Sequence, residues 1–520
     1  MRKKMLGLLF GLVIVLSSFI PAIGSDASYR WKYNPMVKET FDENMTDIKV
    51  AILYQRITDG INHPSKIRTY EDLVNILKET NPDLVFRVWW RWIPTPESLP
   101  PDHPIYQAGH TYQQLEETLG KLKKDLPEIK FWFGSIPTQR INFEEKNPIT
   151  GKTYSKKETW QMTLDPAKWG INFSKEKLQE LAQQGPTGQY GYLPDVTNKE
   201  FQELYLSWAK RQIDAGVNGL FLDMLFAQPR ILAEITKNLN HKAVKESLRA
   251  IDYLIEEIRK YGYEKGRYIY LCSWGTFTDF PDYTPDLDFV IVTPKVEEVR
   301  NLILDEERWN EKISKIKERL PKAKILAIID WAGTTNTSLG VFSQELSKEA
   351  QREFLRIADG FLRRKGITFI YPVHGGFMGQ DAKILSYGKS KTYDSLAPEF
   401  DTYGTIVELA KNRAHGNPLV SIERPRNCLY VFDKEIMSLK ISVIIGKITI
   451  MVDTFDEDGI NRVEFCIDDV LKFTDHDEPY SWLWNEFAIG WHVIKVIVYD
   501  NSGNKAEDRI KVMVFNLGLG

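Results

Sequence analysis

Cysteine is scarce. Three occur in 520 residues, Cys272, Cys428 and Cys466, and they lie far apart with no metal-ligand spacing. That excludes a disulfide scaffold and a thiolate metal centre. At most one bridge can form, with Cys428 and Cys466 the nearer pair, and burial as free thiols is an equal alternative. No His-x-His or His-Glu-x-x-His pattern occurs, which argues against a zinc barrel hydrolase. A Gly-x-Ser-x-Gly elbow and a phosphate loop are missing as well. No charge sign dominates: 68 basic residues face 71 acidic ones, and a net charge of -3 sets up no field for nucleic acid or an anionic membrane. Beyond the first residues no apolar run approaches the ~18 needed to cross a bilayer.

What is present begins with Arg2-Lys3-Lys4, an apolar run from Met5 to Ile20, and small residues from Ala22 to Ser25. That order reads as a secretory signal peptide over residues 1–24, with retention as an N-terminal anchor the alternative. Either reading places the rest outside the cell, as a secreted or surface protein. Charged residues make up 27%, mostly Lys and Glu, a balance that suits a hot-growing organism. The chain is longer than one compact core usually holds, so more than one domain is expected.

From residue 48 onward, β-like runs alternate with amphipathic helical stretches. Eight runs can be placed: Lys49 to Ile57, Leu84 to Trp92, Lys130 to Ile136, Val217 to Met224, Tyr268 to Ser273, Leu287 to Thr293, Ile325 to Trp331 and Ile367 to Pro372. Helices are expected between them, among them Val296 to Leu320 as one piece, and the fifth unit shows no obvious helix. Eight strand-helix units predict an α/β fold, a closed (β/α)8 TIM barrel over residues 25–416. An open doubly wound sheet is disfavoured because no Gly-rich turn follows the first strand. A long insertion, 137–198, follows the third strand and is rich in Trp, Tyr, Gly and Pro. In a barrel such loops build the active-site face.

After Gly416 the pattern becomes short alternating runs without helices, the signature of an all-β sandwich over 417–520. Candidate strands include Ile441 to Thr454, Val463 to Ile467 and His492 to Tyr499. Asp456-Glu457-Asp458-Gly459 lacks a full calcium loop and reads as a hairpin turn. The segments Asp458-Gly459-Ile460-Asn461-Arg462-Val463-Glu464-Phe465, Glu478-Pro479-Tyr480-Ser481-Trp482 and Tyr499-Asp500-Asn501-Ser502-Gly503-Asn504 resemble the bacterial and archaeal immunoglobulin-like modules of secreted surface proteins and polysaccharide-degrading enzymes.

The chemistry centres on Gly216-Val217-Asn218-Gly219-Leu220-Phe221-Leu222-Asp223, where an Asp closes an apolar strand. Barrel active sites lie at that carboxyl end. The segment is similar to the fourth-strand motif of glycosidase barrels such as endo-α-1,4-polygalactosaminidases and, more distantly, the α-amylase and α-galactosidase groups. The resemblance implies that Asp223 is nucleophile or base. Glycoside hydrolysis pairs two carboxyl groups. Asp330 repeats the arrangement, closing Ile325-Leu326-Ala327-Ile328-Ile329 before Trp331, and is the candidate acid; Glu297, Glu298, Asp279, Asp282 and Asp286 are weaker. In Arg87-Val88-Trp89-Trp90-Arg91-Trp92, strict alternation puts Arg87, Trp89 and Arg91 on one side. From the lumen, Arg87 would hold Asp223 ionised; the opposite reading sends the arginines to the outer helices. Tyr54, Trp132, Trp274, Trp331 and His374 complete the mouth candidates, flat rings and hydrogen-bonding groups suited to sugars. The reading is a glycoside hydrolase acting on a polysaccharide or glycan, with no metal or organic cofactor. A non-catalytic glycan-binding or structural cell-surface protein is the alternative.

Overall fold

The computed structural model describes residues 48–58, 68–91, 110–183, 191–329 and 334–518. The chain divides into two compact units, Met1–Val407 and Glu408–Gly520. In the first, eight parallel strands follow one another round a closed barrel: β1 (Ala51–Tyr54), β2 (Leu84–Trp90), β3 (Phe131–Pro137), β4 (Gly219–Asp223), β5 (Tyr270–Trp274), β6 (Phe289–Val292), β7 (Lys324–Ile328) and β8 (Thr368–Phe377). Pairing of β1 with β8, Ala51 opposite Ile370, closes the ring. A short antiparallel strand, β9 (Thr392–Asp394), pairs with the carboxyl-terminal end of β8, Phe377 opposite Thr392. The expected α/β barrel is therefore the observed one.

Helices start where the sequence supplies caps. Thr69 and Asp72 form a capping box ahead of α1 (Tyr70–Thr80), and Thr111 with Gln114 does the same for α2 (Tyr112–Asp125). Asn198 caps α3 (Lys199–Asp214), and His241 accepts from Ala243 at the head of α4 (Lys242–Glu264). The helix expected from Val296 to Leu320 is two. Leu302 adopts a left-handed conformation that ends the first, and Asp305 caps the second, α5 (Glu306–Arg319). The fifth unit has a single 3-10 turn, Gly275–Asp279, where the sequence shows no helical period.

Side chains fill the lumen. Alternate residues of the strands form one buried cluster that includes Phe86, Phe131, Phe133, Phe221, Tyr270 and Phe289. Their rings meet edge to face, Phe131 with Tyr270 at 5.1 Å and Phe133 with Phe289 at 5.2 Å. Gly219 is there for space: a Cβ would stand 2.0 Å from the Phe133 ring, its partner in register. The barrel is thus plugged below its carboxyl end, and any ligand must enter at the mouth. The insertion after β3 folds on itself through two short antiparallel pairings, Ile141–Asn142 with Gly191–Tyr192 and Glu145–Lys146 with Thr153–Tyr154.

The second unit packs a three-stranded sheet and a seven-stranded sheet around a core that includes Tyr430, Phe465, Trp484 and Val496. The run 441–454 is two strands, broken at Gly446, where φ is 79° and a Cβ would stand 2.7 Å from the Phe432 ring. Asp456 to Gly459 joins the two sheets instead of closing a hairpin, whereas Asn501 to Asn504 does close one. Cys272, Cys428 and Cys466 are buried free thiols. No helix among the described residues is long and apolar enough to cross a membrane.

Candidate active site

Asp223 ends β4, opposite Pro137 of β3, and its side chain shares the lumen face with Phe221 two residues earlier. It is 2% exposed. Trp274, at the end of β5, donates its indole Nε1–H to Oδ1 at 2.8 Å and packs edge-on against Phe221 at 5.6 Å. Two sequence candidates therefore meet directly. The charge of Asp223 is felt by its neighbours: after burial, it helps push the Tyr205 phenol up, with Thr138, 2.9 Å from that phenol, pulling the other way. It also helps raise the Cys272 thiol, again after burial and Asp288, while Arg87 opposes.

Arg87 departs from the strict alternation. β2 bulges between Phe86 and Trp89, and Arg87 takes a left-handed φ of 61° there. Its guanidinium stands over the lumen rings of Phe221, at 5.1 Å, and Phe86, at 5.6 Å. Among the described residues it forms no ion pair with Asp223, and its Nε and Nη2 have no hydrogen-bond partner. The other members of the cluster turn elsewhere. Trp89 stacks on Tyr112 of α2 at 5.2 Å, and Arg91 lies over Trp208 of α3 and ion-pairs with Glu145 of the insertion at 2.7 Å. Two residues, Arg87 and Val88, are unopposed in the bulge, so alternation from lumen-facing Phe86 still sends Trp89 and Arg91 to the helix side and only Arg87 changes face. Trp89 is thus in the helix layer and not at the mouth. Trp132 is corrected in the same way: it alternates with lumen-facing Phe131 and Phe133, so its buried ring belongs to the helix side.

A second polar cluster gathers at the ends of β1 and β8. The strand β8 runs past Pro372, so His374 lies within it. His374 Nδ1 is 2.8 Å from Oδ2 of Asp394 on β9, and Arg68 donates Nη2 to the same carboxylate at 2.5 Å. Tyr387 and the Leu396 amide add bonds at 3.4 and 3.0 Å. Tyr54 packs against His374 at 5.0 Å and accepts from Arg68 Nη1. Burial alone would raise the Asp394 carboxyl, but His374 and Arg68 hold it below the usual range. Burial and the charge of Asp394 push the Tyr387 phenol up to about 12. Sequence reasoning found Tyr54 and His374 here and missed Arg68, Tyr387 and Asp394, whose polar segments carry no periodic signal.

Several candidates have structural duties. Asn218 bridges β3 and β4 at their amino ends, accepting from the Trp132 amide and donating to the Lys130 carbonyl. Glu298 caps its own helix and pairs with Arg308, Glu297 pairs with Arg300, Asp279 with Arg230 and Asp286 with Arg259. Asp330 and Trp331 lie outside the described residues. No group of three or more His, Cys, Asp or Glu side chains placed to hold a metal occurs among the described residues.

The bacterial Ig domain family matches residues 418–496. No curated protein matches the chain. Similar solved structures include the fibronectin(III)-like modules of Clostridium thermocellum CbhA, 25% identical over 20% of this chain and 50% of that one, TM-score 0.16. Bacteroides uniformis beta-glucuronidase is 9% identical over 90% of this chain and 46% of its own, TM-score 0.38. A modular endo-beta-1,4-mannanase from Cellulomonas fimi is 12% identical over 91% and 98%, TM-score 0.35. The chain thus spans about half the length of the first two, and likenesses this distant transfer no activity. The chain is a closed (β/α)8 barrel followed by a bacterial Ig-like domain, and glycoside hydrolases are among its structural neighbours.

Proposed function

We propose that the chain is an exported glycoside hydrolase that cleaves a polysaccharide or glycan by a two-carboxylate mechanism, with Asp223 as nucleophile or base and Asp330 as acid. The observation that supports this best is the buried carboxylate of Asp223 at the carboxyl end of a barrel strand, oriented by the Trp274 indole at 2.8 Å. Burying a carboxylate there is costly, which favours a use for it. The indole N–H fixes the rotation of the carboxyl group, and the ring offers an apolar face to a sugar. In the reaction, the acid protonates the leaving glycosidic oxygen while the ionised carboxylate attacks the anomeric carbon or activates water. Export rests on the leader at residues 1–24, and the Ig-like domain serves to space or dock the barrel at a surface.

Hydrolysis of a panel of α- and β-linked polysaccharides by the leaderless protein, beside Asp223→Asn and Asp330→Asn, tests the reading. Wild type should release reducing sugar and Asp223→Asn should lose about 10³-fold or more in turnover. Equal activity in that variant would remove Asp223 from the mechanism. Binding without cleavage by wild type would instead favour a glycan-binding barrel.

A further inference from the structure

Arg87 is 1% exposed, and neither its Nε nor its Nη2 has a hydrogen-bond partner. Those two donors share one edge of the guanidinium, the edge that grips a carboxylate with two parallel bonds. The bulge in β2 turns the guanidinium away from the helix layer and into the lumen, over Phe86 and Phe221. On the neighbouring strand Ser135 is fully buried, and its Oγ also lacks a partner. Ser135 alternates with Phe131 and Phe133, so its hydroxyl faces the same lumen. It pairs in register with Phe221, two residues below the pairing of Pro137 with Asp223. The two unanswered groups therefore lie on the lumen side at the level of Phe221, the residue two positions before Asp223 on β4.

A buried cation without a counter-ion is costly, and removing one partner of a buried pair is costly for the same reason. The two phenyl faces offset part of that cost. Sugar hydroxyls would bond to the open donors yet leave the charge uncompensated, whereas an anion answers both. We infer that Arg87 and Ser135 form a subsite for an oxyanion substituent of the glycan bound at Asp223, so that the substrate is an acidic polysaccharide; a uronate carboxylate matches the two-donor edge best. The inference rests on the hydrolase reading.

The test is calorimetric binding to the full leaderless chain carrying Asp223→Asn, which prevents turnover. Probes are uronate oligosaccharides, the same oligosaccharides after reduction of their carboxyl groups, and neutral oligosaccharides with and without sulfate esters. One anionic series should bind roughly ten- to a hundredfold more tightly than its neutral counterpart. Adding Arg87→Met should abolish that preference while leaving affinity for the neutral form within a few fold, and adding Ser135→Ala should reduce it in part. Thermal melting should find Arg87→Met folded, with a midpoint no lower than its parent, because an uncompensated buried cation has gone. If Arg87→Met fails to fold, Ser135→Ala and Arg87→Lys carry the same comparison. A preference for sulfated probes that depends on Arg87 upholds the oxyanion subsite and assigns it to a sulfate ester. Equal binding of charged and neutral partners, or a uniform loss in Arg87→Met, overturns the subsite and leaves the hydrolase reading standing. Binding and cleavage of no glycan at all overturns the hydrolase reading first.

Discussion

Two polar clusters occupy the carboxyl end of the barrel, and their charges are treated differently. At the β1 and β8 ends, Asp394 takes Arg68, His374, Tyr387 and a backbone amide, so the protein answers its negative charge from within. At the β2 to β5 ends, Trp274 holds Asp223 while Arg87 and Ser135 keep polar atoms without partners. The two carboxylates, Asp394 and Asp223, are both buried. The contrast separates polar groups that hold a fold together from groups arranged to meet something else. A saturated cluster contributes stability, whereas open donors carry a cost that a ligand relieves.

The largest effect that sharpens this contrast is expected at Asp394. Asp394→Ala strands Arg68 and His374 in the interior and should cost about 3–5 kcal/mol, read from denaturant unfolding. The same cluster sets a pH signature. Because the folded carboxyl lies below its unfolded value, its stabilisation is complete above about pH 4 and is lost as pH falls through the folded value. Unfolding curves between pH 7 and pH 2 should steepen in wild type at the acid end and flatten in Asp394→Asn. A wild-type profile unchanged by that substitution would show that the saturated cluster contributes nothing.

A smaller and different effect is expected across the barrel. Trp274→Phe removes the donor to Asp223 and should cost about 1–2 kcal/mol, seen more in kcat than in KM if the indole orients the reacting carboxylate. A loss confined to KM would make Trp274 a sugar platform only. The smallest functional effect belongs to Trp89. Trp89→Phe should lower stability by about 1 kcal/mol through poorer packing on Tyr112 and leave glycan affinity unchanged. A matching loss of affinity would return Trp89 to the mouth and break the distinction drawn from the bulge.

Much of the barrel is legible in the chain itself. Eight apolar runs match the eight strands because a parallel strand covered on both faces must be apolar throughout. Asp223 stood out as a carboxylate where that rule ends. The neighbourhood was less legible for identifiable reasons. Alternation assumes an unbroken strand, and the bulge at Arg87 puts that residue in the lumen while Trp89 and Arg91 turn to the helices. Asp394 and Arg68 are separated by 326 positions and meet only because β9 folds back on β8 and the ring closes through β1.

The sequence by itself determined the order of strands and helices, the change to a β-sandwich after the barrel, and the carboxylate that closes the fourth strand, because these follow from local periodicity, caps and turns. Tertiary structure alone decided which charges are answered and which are left open. Pairing across a barrel depends on register, bulges and ring closure, and those link residues hundreds of positions apart that no local pattern connects.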